Sequence, residues 1–143
     1  MTARDQRLYH LLQLAAHRVK VQADRDAQEI AGITAAQAAV LFVVARTPDT
    51  TQRVVADQLK QQESAVTAMV GRLIDGALLT RTQSIDDGRA WALNLTSGGR
   101  EALAKFHRPL DKLNTAITHA LGDESRVSAF AVALRAILDM KLD

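Results

Sequence analysis

Within residues 84–96, SIDDGRAWALNLT, two acids, a glycine and an arginine fall at consecutive positions: Asp86, Asp87, Gly88 and Arg89. Paired carboxylates would suit general acid–base work. Neighbouring residues of an extended strand point to opposite faces, however, so Asp86 and Asp87 do not converge on one substrate atom. No third acid, histidine or metal-ligand spacing accompanies them. Acid followed by glycine between alternating segments specifies a hairpin turn instead. The other candidates for chemistry are the histidines His10, His17, His107 and His119. His10 and His17 lie seven positions apart and share a helix face, but neither His-x-x-x-His spacing nor an acid cluster supports a metal site. No metal, cofactor or enzymatic activity is therefore expected. The chain has no cysteine, which removes disulfides, thiolate zinc sites and thiol redox sensing.

The bulk properties narrow the class. The chain has 143 residues, 48% hydrophobic and 24% charged, which suits one domain or one protomer and excludes a disordered chain. The net charge is only +2. Residues 46–100 hold seven Lys/Arg and six Asp/Glu, so any nucleic-acid function rests on where charges sit rather than on their sum. The opening MTARDQRLYH is polar and does not read as a secretory signal. The most apolar stretch, ITAAQAAVLFVVA, is too short to span a bilayer and contains Thr34 and Gln37. No membrane partner is expected, and the composition suits the cytoplasm.

These residues are carried by a recognisable series of elements. Leu8, Leu11, Leu12, Ala15 and Val19 recur at helical spacing, and Gly32 is a natural stop. Thr34 and Gln37 read as a capping box for a nearly all-apolar helix to Arg46. Thr51 can cap a short helix with Val54, Val55 and Leu59. After a break at Lys60-Gln61-Gln62, a helix from about 63 to 75 places Val66, Met69, Val70 and Leu73 on one face. Its other face carries Ser64, Thr67, Ala68, Gly71 and Arg72. The period then changes to that of strands, over 78–82 and again where Trp91, Leu93 and Leu95 are expected to anchor a return strand. Thr96 can cap a long helix to Leu121, in which Pro109 removes a backbone donor and should place a kink. Gly122 stops it, and Asp123 can cap a last helix with the stripe Phe130, Leu134, Ile137 and Leu138. The fold class expected is mainly α with a small β-hairpin wing. It is a winged helix-turn-helix over 34–96, with long dimerisation helices over 1–31 and 97–143.

In this arrangement the chain resembles the MarR family of transcription regulators. The resemblance rests on Asp87-Gly88-Arg89 followed after five residues by Leu95-Thr96, similar to the family's wing signature. It rests also on Val55-Ala56, Val66, Arg72-Leu73 and Leu78-Leu79-Thr80-Arg81, similar to its helix-turn-helix and first wing strand. Three positions depart from the family: Lys60 and Ala77 stand where it often has glycine, and Gln61 replaces an apolar residue. The resemblance implies a homodimer that binds double-stranded DNA as a ligand-responsive repressor on a pseudo-palindromic operator. The helix from 63 to 75 would then enter the major groove. Gln62, Ser64 and Thr67 would reach phosphates or base edges, Ala65 and Ala68 would offer methyl groups to thymine, and Arg72 would contact phosphate or base. Thr51, Gln52 and Arg53 would meet the backbone at a helix N-terminus. Arg89, braced by Asp87, would enter the minor groove. The resemblance further implies a small lipophilic or phenolic anionic effector, with His17, Phe42 and Arg46 as candidate contacts. It excludes the peroxide-sensing cysteine branch. The balanced charge of 46–100 and the small side chains of the reading helix leave an alternative. That alternative is a helical dimer acting by protein–protein contact, with a winged domain that no longer binds DNA.

Overall fold

The computed structural model describes residues 3–83 and 91–142, with side chains from Arg7 onward. Asp87 and Arg89 lie outside the described residues. Its internal contacts divide into two units, Met1–His107 and Arg108–Asp143.

The first unit opens with α1 (Ala3–Ala31), which ends at Gly32 in the left-handed region. The predicted capping box starts α2 (Ala35–Arg46). Gln37 N–H donates to Thr34 Oγ1 at 3.1 Å, and Thr34 N–H donates to Gln37 Oε1 at 3.0 Å. A third acceptor was not foreseen. Asp24 of α1 takes the Ala35 N–H at 2.7 Å, tying the two helices and placing negative charge at a helix N-terminus. With its ends satisfied in this way, α2 is buried along most of its length, and Val40, Leu41 and Val44 form the centre of the core.

Around α2 pack α3 (Gln52–Leu59) and α4 (Glu63–Asp75). Thr51 caps α3 as predicted, its Oγ1 accepting the Val54 N–H at 3.3 Å. Val55 is buried and Leu59, four residues on, is partly buried, whereas Val54 is exposed. An eight-residue helix buries one stripe, and Val54 lies about 100° away from it. In α4 the expected stripe holds: Val66, Val70 and Leu73 are buried and Met69 packs at their edge.

The hairpin pairs β1 (Leu79–Gln83) with β2 (Trp91–Leu95) antiparallel, with Leu79 opposite Leu95, Arg81 opposite Leu93 and Gln83 opposite Trp91. β1 starts one residue later than the sequence suggests because Leu78 is already engaged. Its N–H closes α4 on Leu73 O at 2.9 Å, and its carbonyl accepts the Thr96 N–H at 3.1 Å. The anchoring of β2 also differs from expectation. Leu93 is fully buried and Leu95 partly so, but Trp91 is 50% exposed. The hairpin runs outward from the core, so the face that is covered at Leu79 and Leu93 is open at Gln83 and Trp91. A feature with no periodic signal completes the base: Leu93 N–H donates to Thr50 O at 2.7 Å as an isolated bridge. Beside it, Asp49 and Asn94 exchange hydrogen bonds, at 3.0 Å from Asp49 N–H to Asn94 Oδ1 and 2.7 Å from Asn94 Nδ2 to Asp49 Oδ1.

Thr96 caps α5 (Ser97–Leu121) as expected, accepting the Gly99 N–H at 2.9 Å while donating to Ala77 O at 2.6 Å. Gly99 sits so close to the Leu78 carbonyl that a Cβ would collide with that oxygen. Glycine is required there by close approach rather than by a turn.

The second unit holds the rest of α5 and α6 (Glu124–Asp139). Gly122 takes a positive φ between them, and Asp123 Oδ1 caps α6 on the Arg126 N–H at 2.9 Å. No residue of α6 is buried within this chain. Phe130, Ile137 and Leu138 of its apolar stripe are all exposed. Among the described residues, no single helix is long and apolar enough to cross a membrane.

Candidate nucleic-acid interface

α3, the turn after it and α4 form one rigid corner. Lys60 ends α3 in the left-handed region, at φ 55°, and Gln61 N–H reaches back to Ala56 O at 3.0 Å. Ala77 closes α4 in the same manner, at φ 59°, with Leu78 N–H on Leu73 O. Both are left-handed terminations in which glycine is unstrained and other residues are not. The backbone thus keeps at Lys60 and Ala77 the conformation for which glycine would be chosen, although the side chains differ.

Ser64, Ala65, Thr67, Ala68 and Arg72 are all exposed on α4, opposite Val66, Val70 and Leu73. Burial of one face therefore leaves the candidate reading face free. Gln62 is exposed at the N-cap position and makes no side-chain capping bond. Two residues that the sequence assigned separately to DNA meet each other: Thr67 Oγ1 lies 2.8 Å from Gln52 Oε1, and also bonds Glu63 O at 2.9 Å. This bond links the start of α3 to the second turn of α4. Arg53 is exposed beside it, and the first turn of α3 carries no acid. The free N–H groups there favour an anion without local repulsion.

The residues named for an effector are less gathered. His17 is exposed on α1 and Arg46 is exposed in the last turn of α2. Phe42 is partly buried and packs against Phe106, with ring centroids 6.0 Å apart, and edge-on against His107 at 6.3 Å. Neither Phe106 nor His107 was singled out as a partner of Phe42. Their one available signal is helical spacing in α5, where Phe106 follows Leu103 on the buried side.

A further contact was also missed. The Arg81 guanidinium lies over the Trp91 ring, 5.4 Å from its centroid. The register explains it: Arg81 pairs with Leu93, so Trp91 is a diagonal neighbour on the same face.

Comparison with known proteins agrees with this geometry. A model of the MarR family matches residues 31–90. No curated protein matched the sequence. Among solved structures, Sco3205 from Streptomyces coelicolor, a MarR family transcriptional regulator in complex with DNA, is similar at a TM-score of 0.88. It is 20% identical, over 97% of this chain and 88% of that one. A mutant MarR from E. coli, complexed with operator DNA, is similar at 0.84, with 23% identity over 92% and 93%. The PcaV transcriptional regulator from Streptomyces coelicolor, in complex with its natural ligand, is similar at 0.81, with 22% identity over 92% of each chain. The chain therefore has the winged helix-turn-helix fold of MarR-family regulators as a whole, and its residues 31–90 match the MarR family itself.

Proposed function

We propose that this protein is a cytoplasmic DNA-binding transcription regulator, a homodimer that represses from a pseudo-palindromic operator. The observation that carries the reading is the exposed face of α4. Ser64, Ala65, Thr67, Ala68 and Arg72 face solvent together, on a helix whose opposite side is locked into the core. Small side chains let the helix approach base edges closely, while the Gln52–Thr67 bond fixes its relation to α3. Thr51, Gln52 and Arg53 then meet one phosphate as α4 lies in the groove. Gln62 and Ser64 reach phosphate or base, and Arg89, braced by Asp87, takes the minor groove beside it. Two neighbours of the same fold are bound to DNA, which supports the assignment.

Dimerisation is supported by the apolar residues left uncovered in one chain, among them Leu8 and Leu11 of α1 and Leu138 of α6. Over 34–96 the chain forms the DNA-binding lobe; 1–31 and 97–143 supply the dimer helices. A small lipophilic or phenolic anion is the proposed effector, with His17, Phe42 and Arg46 as contacts. It acts by favouring a spacing of the two reading helices that does not fit DNA.

Selection from a random duplex pool tests the reading. The expected product is a pseudo-palindrome with half-sites about one helical turn apart. A pool that emerges unenriched would refute sequence-specific binding and favour a protein-interaction module. On the selected duplex, Arg89→Ala is expected to weaken binding while leaving the melting temperature unchanged; equal affinity would remove Arg89 from the interface.

A further inference from the structure

The two strands of the hairpin present an unusual surface. β1 and β2 together contain one charged residue, Arg81, and no acid. Thr80, Arg81, Thr82 and Gln83 are all exposed, Arg81 on the face of the hairpin that Trp91 shares and the two threonines on the other. Trp91, the only tryptophan in the chain, is half exposed in the facing strand instead of lying in the core. The Arg81 guanidinium rests over its ring. Among the described residues Arg81 forms no ion pair.

This cation–π contact determines what the arginine can do. A guanidinium lying over an indole is held through one face, while its N–H donors lie around the rim and stay free for an acceptor. The strand that carries it is anchored too, since Leu79 two residues before and Leu93 directly opposite are fully buried. A long, mobile side chain is thereby turned into a preorganised fork, and less rotamer freedom is lost when it binds. The partner that suits such a fork, on strands that carry no acid of their own, is a phosphate oxygen.

We propose that Arg81 is a phosphate-binding residue for the backbone of duplex DNA, and that Trp91 is the positioning residue that holds its guanidinium in place. This assignment rests on the DNA-binding reading above and adds to it a contact on the strands of the wing. A phosphate contact carries no base information, so its loss weakens binding to all sequences alike and lowers the salt dependence by about one counterion per protomer.

The experiment is a salt series of binding isotherms, by fluorescence anisotropy of labelled duplexes, with the full-length protein and four variants. Arg81→Gln is expected to weaken binding about 5- to 10-fold on the selected and the random duplex equally, and to lower the slope of log K against log salt by about two, one for each protomer of the dimer. Arg81→Lys keeps the charge and is expected to keep that slope. Trp91→Leu is expected to lose several-fold in affinity, and Trp91→Phe to recover most of it, because the ring and not the apolar bulk positions the arginine. Circular dichroism of each variant confirms that it is folded. The tryptophan emission of the unmodified protein should change on adding duplex, and should change less in Arg81→Gln. Binding by the unmodified protein that Arg81→Gln matches in affinity and slope would overturn the assignment while leaving the regulator reading intact. Equal binding by Trp91→Leu would overturn the role of the ring. Failure of the unmodified protein to bind any duplex would overturn both readings together.

Discussion

Thr50 shows how one side chain can record a compromise made by the chain around it. Its backbone carbonyl accepts from Leu93 and its N–H donates to Thr47 O, so the main chain is satisfied. Its hydroxyl is buried and finds no partner among the described residues. A buried hydroxyl without a partner costs on the order of 1–3 kcal/mol, most of which an isosteric methyl recovers. Thr50→Val should therefore raise the unfolding free energy by about 1 kcal/mol in urea denaturation. A loss of stability would show that the hydroxyl is paired. Trp91 carries the opposite lesson. Alternation of Trp91, Leu93 and Leu95 correctly implied a strand with one apolar face. It could not show where along that face the core ends, because that depends on how far the hairpin projects. Arg81 was legible as a strand residue, but its contact with the Trp91 ring needs the register, and register follows from pairing rather than from either strand alone.

At the scale of elements, most of the architecture could be read because its signals are local. The capping box at Thr34 and Gln37, the caps at Thr51, Thr96 and Asp123, and the stops at Gly32 and Gly122 are interactions within a few residues. The contacts that escaped are between elements: Asp24 on the start of α2, Asp49 with Asn94, Thr50 with Leu93, and Gln52 with Thr67. None of these leaves a periodic trace. The turn after α4 yields a prediction of its own. Ala77 holds a left-handed conformation that costs an L-residue on the order of 1–2 kcal/mol relative to glycine, part of it offset by the greater freedom of glycine in the unfolded chain. Ala77→Gly should raise stability by about 0.5–1 kcal/mol, a shift of about 2–4 °C in melting temperature. A lower melting temperature would show that the turn is not strained.

For the whole molecule, the candidate interface was legible as a surface and less so as a set of contacts. The face of α4 follows from the spacing of its buried residues, whereas the mutual bond of Gln52 and Thr67 changes what each has left to offer a phosphate or base. Assembly is a separate question, because α6 has no buried residue of its own. Leu8 and Leu138 are 68% and 67% exposed in the single chain. The dimer reading predicts a solution mass of twice the 15.6 kDa chain at micromolar concentration by sedimentation equilibrium. Leu8→Glu combined with Leu138→Glu should shift that mass toward the monomer, since burying unpaired carboxylates is unfavourable. A stable monomer before substitution, or a dimer indifferent to both acids, would contradict it. Loss of the dimer should in turn weaken operator binding, because only a dimer engages both half-sites.

In the proposed function, α3, α4 and the wing together form a surface for duplex DNA. It is tested most directly by the affinity of the unmodified protein for a duplex from upstream of its own gene, measured between about 50 and 200 mM salt. Tight binding is expected that falls steeply with salt, by about 10³-fold or more for six or more phosphate contacts in a dimer. Binding that is absent at the lowest salt, or that stays flat across the series, would contradict it.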